Sequence, residues 1–506
     1  MQLGSCLFAG VLVVSSIGCV ASEDTTSAIS SDDTVRPVDT AKELVITDPR
    51  VIASPVETTF DPAHPSGFER QGAWSFGRLI HNMLPEGERD SAYAASQLVL
   101  RWLATWETAQ APNPAVEPAR ARASIRLMIT NPWKAASGCT EPESPASDAA
   151  CTLDMTKAPF RLMAIVNRPD LRKVADDDSA IGGEGRFVFQ VVGPTLGIDA
   201  ATSTLRVMDA TVKPQKFTVI FEYSLPVTSW IETTTWARRW HALGALPFGA
   251  AYNAQLLAIT RDFSGPDQDR RRPNGNALDQ LRTNEVALMG ARFPATGFVA
   301  AKQFWEIREF HLETTGLEPH TVNLEPARDF DITRTGQTGA EGTRTAELVA
   351  YLDANADAVL ASRHVLADGM SGNSALVGSS PYGAWGKLVG PNPPAIPSQG
   401  VAHNLGDVAV AVRDSFAINT CAGCHRHETD TRHFMHLTFV GAMEPAARVD
   451  DRARIGADTL PDTAVVMSNF LRAEVSPGGP RYEDFTRLLA TPVTEITNKP
   501  GLRSCE

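Results

Sequence analysis

Leu98, Trp102 and Trp106 recur at intervals of four after Asp90, and Pro112 ends the pattern. That spacing puts the three side chains on one side of a 3.6-residue turn and predicts an amphipathic helix. Strand patterns follow. Residues 162–166 are a short apolar run ending at Asn167-Arg168-Pro169-Asp170, which is turn chemistry. Residues 187–192 form another, entered through Gly182-Gly183-Glu184-Gly185. Phe217, Val219, Phe221 and Tyr223 alternate with Thr218, Ile220, Glu222 and Ser224, which predicts a half-buried strand. Helical spacing returns over residues 229–243 and 248–263, and strand-like segments over 286–289 and 304–312. In the last of these, Trp305 and Ile307 alternate with Glu306 and Arg308, then Phe310 falls out of phase, as at a bulge. Strands in clusters, with helices between the clusters, predict an α+β body whose large sheet is mainly antiparallel.

Further along, Leu348, Leu352 and Val359 make one stripe of a helix over 347–360. Residues 369–403 are crowded with Gly, Pro and Ser, and they divide a body at 61–368 from a C-terminal segment at 404–506. There Asp407 can cap a helix carrying Val408, Val412 and Phe416. Short helices are expected over 464–473 and 482–489, so this segment reads as a small helical unit. No internal repeat is visible.

At 506 residues with 43% hydrophobic and 21% charged side chains, the chain has ample material for a core. Its formal charge of −13 argues against a nucleic-acid surface and against a patch for anionic lipid. Arg270-Arg271-Arg272 stands among acids in a Pro/Asn/Gly-rich loop and reads as solvated. The start of the chain places it. Leu7 to Val14 are apolar but too few to span a bilayer, and Ser15-Ser16-Ile17-Gly18-Cys19 follows. Small residues before a cysteine resemble a bacterial lipobox, although no Lys or Arg precedes the apolar stretch and Ser16 stands where such sites usually carry Leu. Residues 1–18 are therefore expected to be a signal peptide and Cys19 a lipid anchor in a bilayer. Residues 19–60, acidic and Ser/Thr-rich at their start, are expected to be a flexible linker. An envelope location suits the other cysteines. Cys139 and Cys151 bracket a polar loop, as a disulfide in an oxidising compartment would, worth about 3 kcal/mol in the chain-entropy model.

The sharpest chemical signal is Cys421-Ala422-Gly423-Cys424-His425. Thiols three apart share a face of a helical turn. Both sulfurs can then reach the vinyl groups of one porphyrin while His425 faces the iron as proximal ligand. Chance would produce this pattern in about two of a thousand chains of this composition, so c-type haem is the first reading. A distal ligand is needed as well: His436 or Met467, with Met435, Met443 and His433 as competitors. Two alternatives use the same residues. Cys421, Cys424, His425 and His436 are donors that tetrahedral zinc accepts, with His427 and His433 to spare, although adjacent Cys424 and His425 are awkward on one ion. Cys421 and Cys424 could also form a disulfide or redox dithiol, but such sites follow a strand, whereas a helix is expected here.

Other matches fail. Asp353-Ala354-Asn355-Ala356-Asp357 opens like a calcium loop, yet Ala358 replaces the needed Gly and His364 the closing Glu. Gly182–Gly185 precedes a strand, so it is no phosphate loop. Trp230, Trp236 and Trp240 read as core or groove wall. No hydrolase motif is present. A single CxxCH does not suit diheme peroxidase chemistry, and whether the body is an enzyme stays open.

Longer strings carry a family likeness: Ala158-Pro159-Phe160-Arg161-Leu162, Ile165-Val166-Asn167-Arg168-Pro169-Asp170-Leu171, Glu184-Gly185-Arg186-Phe187, Phe217-Thr218-Val219-Ile220-Phe221-Glu222-Tyr223, Leu281-Arg282-Thr283-Asn284-Glu285 and Asn419-Thr420-Cys421-Ala422-Gly423-Cys424-His425. Together they resemble a group of uncharacterised bacterial lipoproteins with one CxxCH near the C-terminus. In that group Glu-Thr and then an aromatic residue close to a His often follow, as Glu428-Thr429 and Phe434-Met435-His436 do here. The resemblance implies export and raises His436 among the candidate ligands. The C-terminal layout also resembles small cytochrome c domains. The expected function is electron transfer to a redox partner, or redox sensing, by one fixed haem. The alternative is a non-haem binding or structural lipoprotein.

Overall fold

Seven strands follow one another, each antiparallel to the last, across one sheet: β1 (Val45–Ile46), β2 (Phe160–Arg168), β3 (Glu184–Ile198), β4 (Leu205–Ser224), β5 (Leu278–Arg292), β6 (Val299–Glu313) and β7 (Gly316–His320). The protein is an α+β chain with a large antiparallel sheet. The computed structural model describes residues 36–110, 121–320 (without 123, 175–179, 200, 203, 226, 228–229 and 293–298), 350–360, 388–389, 403–404, 435–443 and 461–490. It also describes the single positions 364, 412, 415, 416 and 425. The expected connection at 369–403 lies almost wholly outside these residues, as do Cys19, Cys421, Cys424 and Cys505.

Register assigns the two faces. Ile165, Phe187, Phe221, Leu281 and Phe310 are successive partners across β2 to β6 and share the first face. Helices cover it: α1 (Phe76–Asn82), α2 (Ala92–Ala104), α3 (Trp230–Leu243) and α4 (Ala250–Ser264) lie in the chain between strands. Phe76 meets Phe221 edge-on at 5.7 Å, Trp102 meets Phe310 at 6.0 Å, and Phe263 of α4 meets Phe187 at 5.7 Å. The Ser91 hydroxyl caps α2 by accepting from the Ala94 amide at 3.1 Å. Gly185 is needed for this layer, because a Cβ there would lie 2.5 Å from the Phe263 ring. Gly183, with φ of +101°, turns the chain into β3.

The second face is buried too, which the alternation in β4 did not predict. Thr218, Ile220, Glu222 and Ser224 are all buried, like their neighbours. Charge is tolerated there because partners stand on adjacent strands. Arg186 is paired with Glu184 at 2.7 Å, and Arg282 with Glu309 at 2.9 Å, while both guanidinium groups flank Glu222 at about 3.5 Å. Burial raises the Glu222 pKa, against the pull of Arg186 and Arg282. At the other end of the first face, Arg122 bridges Glu285 (2.7 Å) and Glu306 (3.0 Å), and Arg308 lies over the Trp106 ring. Glu306 and Arg308 thus belong to the interior, not to solvent. No bulge sits at Phe310, because β5 and β6 pair without a shift from Leu281–Phe310 to Arg292–Val299.

Two further expectations are corrected. The flexible linker does not extend to residue 60. From Pro37 the chain belongs to one compact unit that runs to the C-terminus, and Val45, Ile46, Val51 and Ile52 are core residues. Acids within this stretch are buried and paired, Glu43 with His241 at 2.8 Å and Glu57 with Arg70 at 2.7 Å. The helix expected at 464–473 begins later. Residues Val465–Met467 form a strand, and a helix follows at Asn469–Val475.

Candidate functional site

The site begins where the C-terminal segment meets the second face of the sheet. Strand β8 (Leu437–Phe439) pairs antiparallel with β9 (Val465–Met467), then come helices α5 (Asn469–Val475) and α6 (Pro480–Ala490). Leu437, Phe439, Leu471, Val475, Phe485, Leu488 and Leu489 join the same core as the body. One polar clamp fixes the contact. The Phe439 amide donates to Gln190 Oε1 at 2.6 Å, while Gln190 Nε2 donates to Thr438 Oγ1 at 3.3 Å. A second clamp joins Arg172, just beyond β2, to Asp484 of α6 through two hydrogen bonds, one of 3.0 Å. Beside it Asp170 is buried. Burial would raise its pKa, but Arg168 and Arg481 outweigh that and hold it below the usual carboxylate range.

His436 precedes β8 and is 4% exposed, and His425 is 2% exposed. Their ring centres are 4.6 Å apart with planes at 45°. Ser468 organises His436 from the end of β9. Its amide donates to the His436 carbonyl at 2.8 Å, and its hydroxyl lies 2.9 Å from His436 Nδ1. The same hydroxyl accepts from the Leu471 amide at 3.1 Å, capping α5. Phe470 packs on the His436 ring at 5.2 Å. A pocket beside His436 is floored by Val188, Thr218, Ile220 and Asn284 of the sheet and rimmed by Met435 and Leu437. Holding Nδ1 through an outer partner is how proteins orient a ligating imidazole.

The other expected residues fall as follows. Met467 is half-buried, stands opposite Leu437 across the ribbon, and packs against the main core. Met443 packs with Val440 in a small satellite core. Cys139 and Cys151 are joined in a disulfide with Cα atoms 5.4 Å apart. His427 and His433 lie outside the described residues. Among the described residues, no three His, Cys, Asp or Glu gather closely enough to hold a metal ion, and no helix is long and apolar enough to cross a membrane. Residues 353–357 lie in a helical stretch rather than a calcium loop. Trp236 and Trp240 are buried against each other at 6.2 Å.

Two contributors had no role in the sequence reading. Ser468 could have been found there, since a serine before a helical pattern is a cap signal. Gln190 could not, because its partner is 249 residues away. No family model matches the chain, and neither the curated proteins nor the solved structures include a significant match.

Proposed function

We propose that the chain carries one c-type haem on Cys421 and Cys424, with His425 as proximal ligand, and serves electron transfer or redox sensing at the cell envelope, anchored through a lipid on Cys19. The observation behind this reading is the burial of His425, directly after the thiol pair, against a second buried imidazole. Burial at the ligand is one of the levers by which a protein sets a haem potential. When bound, the haem would supply a one-electron couple. The chain's own residues would hold it on a firm base. Gln190 and Ser468 fix the ribbon next to His436, and the sheet residues behind it are buried. His436 would flank the proximal side. Two imidazoles on opposite sides of one iron keep their ring centres roughly 6 Å apart, given metal–nitrogen bonds of about 2 Å. The 4.6 Å between His425 and His436 is too short for that.

The same distance favours a second reading. Imidazoles on two tetrahedral positions of one zinc ion have ring centres roughly 5 Å apart, closer to the observed spacing than the separation across an iron, so Cys421, Cys424, His425 and His436 could hold zinc in a non-haem lipoprotein. Producing the full chain in a host that matures c-type cytochromes separates the two. Haem predicts a Soret band that survives denaturation and acid–acetone extraction. Colourless protein with one equivalent of zinc would sink the haem reading.

A further inference from the structure

The last two strands of the sheet carry a second group of histidines and carboxylates. In the hairpin of β6 and β7, register sets Glu309 opposite His320 and His311 opposite Glu318. Side chains alternate along a strand, so these four and Glu313 share one side of the hairpin. Phe310, Leu312 and Leu317 turn to the other side, into the core. The two imidazoles lie face to face, with ring centres 4.0 Å apart and planes at 9°.

Glu309 is buried at the inner end of the group. One of its oxygens accepts from Arg282 at 2.9 Å, and the other lies 2.9 Å from His311 Nε2. Facing a carboxylate, Nε2 is the donor, which leaves the lone pair of the neutral ring on Nδ1. A carboxylate behind the remote nitrogen is how proteins present an imidazole to a metal ion. His320 Nε2 stands 3.7 Å from a Glu313 oxygen. Burial, and then the neighbouring His311, lower the His320 pKa against the pull of Glu313, Glu309 and Glu318, so this ring is neutral at pH 7 and able to ligate. The two side chains are 34% and 43% exposed, which gives both rings room to turn from stacking toward one point. No three donors meet there as the side chains stand. Two imidazoles on adjacent strands are therefore the core of the site, and water completes the coordination.

We propose that His311 and His320 bind one divalent transition-metal ion, zinc, nickel or copper, which clips the edge strand β7 to β6. Imidazole suits these ions, whereas magnesium and calcium take oxygen ligands. Glu309 orients His311, while Glu313 and Glu318 supply a negative field that draws the cation in. β7 is five residues long and last in the sheet, so its outer edge is open to peeling and to strand addition, which a metal bridge would oppose. The site stands independently of the haem and zinc readings of Cys421–His425.

The test strips the full chain with chelator and titrates it with zinc, then with cobalt. Wild-type protein should bind one zinc more than His311→Gln or His320→Gln. Glu309→Gln should keep that ion but hold it roughly 10–100-fold more weakly. Cobalt at this site should lack the near-ultraviolet thiolate band that an ion on Cys421 and Cys424 would show. Zinc should also slow amide exchange in β7 of the wild type and not of the histidine variants. Equal zinc stoichiometry and affinity in the wild type and both histidine variants overturns the site, as does a thiolate band from every bound cobalt. Unchanged affinity in Glu309→Gln removes Glu309 from it. Zinc held by the pair without slower exchange in β7 overturns the clip.

Discussion

Ser468 does two jobs with one hydroxyl, and separating them is possible. Its oxygen caps α5 and holds His436 Nδ1. Ser468→Ala should lower stability by about 1 kcal/mol, the usual cost of a lost cap, read as a shift in the urea midpoint. Ser468→Asp should recover most of that, since Asp also caps. Unchanged stability in the alanine variant would remove Ser468 from the account. Histidines set the acid limit at this scale. Burial lowers the pKa of both His81 and His364, the latter to about 4, so the unfolded chain binds their protons first. Metal-free protein should therefore lose stability as pH falls from about 6.5 toward 4. Below that, Asp170 and Asp267, held low in the fold, extend the loss. A urea midpoint that stays flat between pH 7 and 5 would contradict this.

At the scale of elements, β8 is held by a side chain of β3 rather than by a strand ladder from the sheet. Gln190→Leu keeps the volume but leaves the Phe439 amide buried without an acceptor, at a cost of about 1–3 kcal/mol. Increased amide exchange at residues 437–439 should accompany the loss. Exchange that matches the wild type would show that the clamp does nothing. Periodicity made several elements legible: the helices at Trp230–Leu243 and Ala250–Ser264 and the apolar row of β4 stand where spacing put them. It failed where long-range pairing overrode local pattern. Glu222 and Arg282 look like solvent-facing residues until their partners on neighbouring strands are known. Residues 37–60 look like tether until Glu43 meets His241, 198 positions away. His364 looked like a failed calcium ligand, because nothing local reveals that its ring is buried.

Across the whole molecule, aromatic-rich helices cover the first face of the sheet and β8, just after His436, lies against the second, while α6 of the same C-terminal segment reaches α3 of the helix layer. That segment is part of the body's core, so it is not an ornament on a finished domain. The Arg172–Asp484 clamp is its most exposed weakness. Arg172→Ala removes one of the arginine partners of the buried Asp484 carboxylate, which keeps Arg487 at 2.8 Å, and should cost about 1–3 kcal/mol, with α6 the first element to become protease-sensitive. Protease resistance equal to the wild type would mean that α6 is held otherwise.

The most direct measurement is the absorption spectrum of the full chain from a cytochrome c-maturing host, taken before and after acid–acetone extraction. The account predicts one haem per chain, retained on the polypeptide through thioethers at Cys421 and Cys424 and lost as a covalent adduct when both become Ala. Colourless protein, or haem that leaves with the solvent, would contradict it.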